Sequence, residues 1–92
     1  MPVEIVWAPL AILRLQQIRA YVAQDKPEAA ERLAMRIVAI VETLRNHPRL
    51  GRAGAEPGLR ELVVGGTPYI VGYKLERDQV TINMIWHGAQ KR

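Results

Sequence analysis

The side chains that could do chemistry gather late in the chain. His87 ends a run of strand-forming residues, and Arg60, Lys74, Lys91 and Arg92 are the cations that accompany it. A histidine with arginine and lysine on a sheet suits cleavage of RNA through the 2′-OH. That reaction needs a proton-transfer group and cationic stabilisation of the phosphorane. The same residues read equally as a strand-end histidine capping a turn among scattered surface charges. Other chemistries find less support. The two histidines, His47 and His87, have no second ligand at helical or strand spacing, so no metal site is expected. The chain has no Ser and no Cys, and its three Thr lack an evident His and carboxylate arrangement. No Gly-rich turn precedes a helix, so a phosphate cradle of the P-loop or dinucleotide type is not expected, nor any cofactor.

With 92 residues the chain is expected to form one domain. Hydrophobic residues make up 49% and charged residues 24%, the balance of a globular protein, and with no Phe the core must be mostly aliphatic. Thirteen Lys and Arg against nine Asp and Glu give a net charge of +4. A basic surface favours nucleic acid, an acidic peptide or an anionic membrane, and equally it keeps a small domain soluble. The absence of Cys excludes disulfides and permits a reducing compartment. The start of the chain lacks the pattern of a signal peptide, and no apolar run approaches the ~20 residues of a membrane span. The cytoplasm is the expected compartment, with no membrane partner.

The elements that must position these groups follow from pattern. Residues 3–7 alternate as a short strand. From Leu10 to about Gln24, Ala11, Leu15, Ile18 and Val22 form one helical stripe with Tyr21 beside it, and Leu10 and Leu13 are surplus to it. Asp25 is expected to cap a second helix, with Glu28 as capping-box partner and Pro27 in the first turn. That helix is expected to run to about Asn46 with Ala30, Leu33, Ile37, Ile40, Val41 and Leu44 inward. Met35 and Val38 are again surplus. Such surplus apolar surface thickens a core or offers a groove to a partner helix. Residues 47–58 form a Gly- and Pro-rich loop carrying Arg49 and Arg52, which are either solvated or placed to meet a phosphate or carboxylate. Strands are expected over 59–64, 69–75 and 80–86, joined by hairpins. On the middle one Tyr69, Val71, Tyr73 and Leu75 share a face, which reads as core, and Gly72 marks a close approach or a bulge. Alternation places Trp86 with Val80, Ile82 and Met84, and a bulge near Asn83 would reverse that. The order β-α-α-β-β-β is an α+β fold, with a helical hairpin packed on one face of an antiparallel sheet.

Taken together, these pieces resemble the RelE/ParE superfamily of toxins from type II toxin–antitoxin systems. The resemblance runs nearly end to end. It rests on Leu15-x-x-Ile18-x-x-Tyr21-Val22, on Lys26-Pro27-Glu28-Ala29-Ala30, on Leu44-x-x-x-Pro48-x-x-Gly51-Arg52, and on Leu59-Arg60-Glu61-Leu62. Tyr69-Ile70-Val71-x-Tyr73 and Ile85-Trp86-His87-Gly88-Ala89-Gln90 complete it, and both are similar to the ParE-like branch. No piece is specific alone; their order and spacing are.

The resemblance implies a toxin silenced by a cognate antitoxin whose tail wraps the helical hairpin and sheet edge. Leu10, Leu13, Met35 and Val38 then become the candidate antitoxin contacts, and DNA is reached only indirectly, through the antitoxin. The branches differ in target. RelE-like members cleave mRNA in the ribosome with basic side chains on the sheet, whereas ParE-like members poison DNA gyrase by binding. Against the nuclease pattern, Leu62 stands where a second cation would be expected beside Arg60, and Ile70 where an arginine commonly follows the first aromatic. An apolar side chain cannot stabilise a phosphorane, so the resemblance favours a gyrase inhibitor. Its target-binding candidates are Arg49, Arg52, Trp86, His87, Gln90, Lys91 and Arg92. The alternative is a ribosome-dependent mRNA endonuclease using His87, Arg60 and Lys74. Many ParE-like chains continue past the position of Arg92, which leaves a third reading, a degenerate toxin that only binds its antitoxin.

Overall fold

Two prolines set the helix starts. Each lies in a first helical turn, where a missing N–H costs nothing. In the computed structural model, which describes residues 2–89, strand β1 is Glu4–Trp7 and helix α1 is Pro9–Ala23. Helix α2 is Pro27–Glu42, and a single 3-10 turn, Thr43–Arg45, ends it. Strands β2 (Arg52–Ala53), β3 (Leu59–Val63), β4 (Tyr69–Glu76) and β5 (Gln79–His87) follow. The five strands form one sheet in the order β1-β5-β4-β3-β2.

The helical hairpin covers one face of this sheet. Ala11 of α1, Ile37 and Val41 of α2 and Leu44 meet Val64, Val71, Tyr73, Val80, Ile82 and Ile85 in a core with almost no solvent exposure. Each of the larger aliphatic side chains contributes about 1.5–3 kcal/mol by leaving water, and Tyr73 is the one aromatic at the centre. An Arg19–Glu31 ion pair ties the two helices on their exposed side.

The expected element order holds, with four corrections. The sheet is mixed rather than antiparallel: β1 lies parallel to β5, from Glu4 opposite Gln79 to Trp7 opposite Ile82. Hairpin turns specify only neighbours in sequence, whereas the partner of β1 lies across the whole chain, so its direction had no local signal. A two-residue strand, β2, pairs with β3 inside the stretch expected to be loop. The second helix stops at Glu42, before the tighter turn. Asp25 does not cap α2: the N-cap is Lys26, with no side-chain hydrogen bond. Pro27 at the head of the helix fixes the cap one residue later than expected, and Glu28 remains in the first turn, where its charge favours the helix dipole.

Candidate functional site

Register decides which groups can act together. Along β4, Tyr69, Val71, Tyr73 and Leu75 face the helices, and Ile70, Gly72 and Lys74 face away. Arg60 is opposite Tyr73 and therefore on the helix side, whereas Leu59 is opposite Lys74 and Glu61 opposite Gly72 on the outer side. Arg60 and Lys74 thus lie on opposite faces. Arg60 is committed elsewhere: Nη1 donates to the carbonyl of Gly51 at 2.7 Å and to that of Arg49 at 3.4 Å. Beside it the Tyr73 hydroxyl donates to the Pro48 carbonyl at 2.7 Å and accepts the Gly51 N–H at 2.8 Å. The two side chains pin residues 48–51 to the sheet. Burial pushes the Tyr73 phenol above its ordinary pKa, while the Gly51 N–H and the charge of Arg60 pull the other way.

Glu61 sits centrally on the outer face, only 4% exposed. Arg52 on β2 approaches it at 3.5 Å with its own side chain 67% exposed. Lys74 is exposed on the same face. The Glu61 carboxylate offsets the charge of Arg52, the cation it pairs with on this face. Arg49 is exposed on the 46–51 segment, and its side chain joins none of these groups.

The strand pairing shifts by one residue next to Gly72. Gly72 is opposite Met84 and Tyr73 opposite Ile82, so Asn83 is the extra residue of a bulge. The bulge reverses the alternation. Ile85 stays in the core, and Trp86 turns to the outer face, where its ring lies over Gly72. A Cβ on Gly72 would come within 2.8 Å of the Trp86 ring, so the missing side chain makes the seat for the indole. Trp86 is 7% exposed there.

His87 returns to the helix side opposite Tyr69. Their rings meet edge to face, with centroids 5.6 Å apart, and His87 Nδ1 accepts the Ala89 N–H at 3.1 Å. Tyr69, expected in the core, packs against it as a partly buried side chain at the start of β4. The pairs between β1 and β5 end at Ile82, so residues 83–87 of β5 run on without β1. Along this stretch lies an open groove with a cavity volume of about 970 Å³. One wall is α1, with Leu10, Arg14, Gln17 and Tyr21; the other includes Met84, Trp86 and His87. Tyr21 is 71% exposed rather than part of the inward stripe. Arg14 went unmarked in the sequence because it lies off the apolar stripe. Its Nη1 donates to Gln17 Oε1 at 2.9 Å.

Leu10, Leu13, Met35 and Val38 are all exposed, Met35 the most at 69%. They do not form one site: Leu10 lines the groove, and the other three lie outside it. Gln90, Lys91 and Arg92 lie outside the described residues. Of the nuclease set, His87 and Lys74 reach the groove and Arg60 does not. Among the described residues no three His, Cys, Asp or Glu side chains could share a metal ion, and no helix is long and apolar enough to cross a membrane.

Residues 5–92 match the family model described as the ParE toxin of the type II toxin–antitoxin system, parDE. The chain is 40% identical over 85 residues to the protein Y4kP of Sinorhizobium fredii, covering 92% of this chain and 88% of that one. To toxin RelE2 of Caulobacter vibrioides it is 38% identical over 87 residues, covering 95% and 97%. Among solved structures, the chromosomal ParDE system from P. aeruginosa superposes with a TM-score of 0.85 at 23% identity, over 92% of this chain and 95% of that one. The YoeB dimer from Staphylococcus aureus gives 0.62 at 11% identity, over 91% and 94%. These two structural likenesses concern the fold.

Proposed function

The chain belongs to the ParE toxin family of type II toxin–antitoxin systems, and from this premise we propose that, once released by its antitoxin, it arrests growth by binding DNA gyrase and not by cutting mRNA. The observation that carries this reading is the division of the basic residues between two faces. A phosphorane needs its cations converging on one point. Here Arg60 holds the Gly51 carbonyl on the helix side, Lys74 stands on the other side, and Arg52 is paired with the buried Glu61 carboxylate. Leu62 and Ile70 supply no charge. The target contacts in this reading are Trp86 and His87 at the end of β5, and Arg49 and Arg52, before and on β2 with two strands between them and β5.

The antitoxin is the partner that matches the exposed apolar residues Leu10, Leu13, Met35 and Val38, and DNA is reached through it alone. Both targets place the toxin in the cytoplasm. Purified chain added to DNA gyrase is expected to stop supercoiling. Supercoiling left untouched, while a cell-free translation reaction stops, would overturn the proposal.

A ribosome-dependent nuclease is the second reading, favoured by the RelE names of the Caulobacter relatives. It requires that changing His87 and Arg60 together to Ala abolish mRNA cleavage. A toxin that binds its antitoxin and leaves both targets alone is the third.

A further inference from the structure

The turn at residues 47–51 is fixed more firmly than its share of the core requires. Pro48 is half-buried, and His47, Arg49 and Leu50 are exposed. Yet the backbone is held almost throughout. The His47 carbonyl accepts the Leu50 N–H at 3.1 Å, with Pro48 at the turn position that suits its fixed φ. The Pro48 carbonyl accepts the Tyr73 hydroxyl, the Arg49 and Gly51 carbonyls accept Arg60 Nη1, and the Gly51 N–H donates to the Tyr73 oxygen. None of residues 47–51 lines the groove beside α1.

This scaffold presents Leu50, 53% exposed. A single exposed leucine is ordinary on a loose loop. On a fixed turn the ordering entropy is already lost on folding, so burying the side chain in a partner costs less. The charges around it are of one sign. Residues 43–55 contain three arginines and no acid. Arg45 is paired with Glu42 and Arg52 with Glu61, whereas the Arg49 side chain is in no ion pair among the described residues. One available cation beside a leucine suits a nucleic-acid backbone poorly, since phosphate binding draws on several cations. It suits a protein surface with an apolar pocket and an acidic rim.

We infer that the turn at residues 47–51 is a preformed contact for the protein target: Leu50 is the apolar anchor, entering an acid-rimmed pocket of DNA gyrase, with Arg49 beside it, and Arg60 is the positioning residue that holds the turn in shape. This rests on the gyrase reading and deepens it. Arg60, which the nuclease pattern would set on a phosphate, acts instead through the backbone that it holds.

The test is calorimetric titration of purified DNA gyrase with the chain and its variants. Leu50→Ala is expected to weaken binding at least about tenfold, with the thermal midpoint unchanged because the side chain is exposed. Arg49→Ala should weaken it less and flatten its dependence on salt. Arg60→Gln is read as a double-mutant cycle, below the unfolding temperature of every variant. It should weaken the parent about three- to tenfold yet change Leu50→Ala by less than about twofold, since a displaced turn then has no anchor to misplace. A purely structural role would cost the same in both backgrounds. Leu50→Ala binding within about twofold of the parent, or equal losses from Arg60→Gln in both backgrounds, would overturn the inference while the parent's binding leaves the gyrase reading standing. Leu50→Ala that loses the antitoxin but keeps gyrase would also overturn it and assign the turn to the antitoxin. If the parent chain binds no gyrase, the gyrase reading and the inference fail together.

Discussion

Tyr73 and Gly51 form the tightest local device in the molecule. The phenol bridges Gly51 N–H and the Pro48 carbonyl, and a Cβ on Gly51 would sit 2.7 Å from the Tyr73 ring. Tyr73→Phe leaves a buried amide unmade and is expected to cost about 1–3 kcal/mol, read as a fall in the urea midpoint. The phenol also sets an alkaline limit. Its folded pKa lies above its unfolded value, so the folded state keeps the proton longer. Its contribution is therefore complete below pH ~10 and is lost as pH rises from there through the folded pKa. Stability measured from pH 8 to 11 should fall more steeply for the parent than for Tyr73→Phe; parallel curves would remove Tyr73 from the account. Gly72→Ala places a methyl in the seat of Trp86 and is expected to destabilise by about 1–3 kcal/mol, as overpacking does, with a shift in tryptophan fluorescence. At this scale the sequence was legible for Tyr73, whose face is regular, and not for Trp86. The side of Trp86 hangs on one extra residue, Asn83, which carries no bulge signal of its own.

Elements were more legible than their partners. Apolar spacing identified α1 and α2 because their inward stripes recur at helical period, and the Gly-Gly-Thr-Pro turn at 65–68 separated β3 from β4. The parallel seat of β1 was not visible, because nothing in residues 4–7 names a strand some 75 residues away. That seat matters to function: since the pairing of β1 with β5 ends at Ile82, the end of β5 is left beside α1 as a groove wall. The surplus leucines of α1 and the Met35 and Val38 of α2 were legible as misfits to a single stripe, but their division between groove and outer surface required the fold. Because both residues of α2 are exposed, Met35→Glu and Val38→Glu are each expected to change stability by no more than about 0.5 kcal/mol in thermal unfolding. A loss of several kcal/mol would mean that they belong to the core.

For the molecule as a whole, charge placement matters more than charge amount. A net +4 suits nucleic acid and acidic protein equally, and composition alone could not separate them. The fold does what composition could not: it sends Arg60 to one face and Lys74 to the other, and buries Glu61 on the same face as Lys74. The candidate site was legible in part, since the sequence marked His87, Trp86 and the missing cations at 62 and 70, yet Arg14 and Tyr21 became groove residues only once β5 was seen to outrun β1. The most direct test of the central claim is precursor incorporation after inducing this chain alone in a bacterial host, following labelled thymidine and methionine over the first minutes. Gyrase binding predicts that thymidine incorporation falls first. An early fall in methionine incorporation, with thymidine unaffected, would contradict it and place the target in translation.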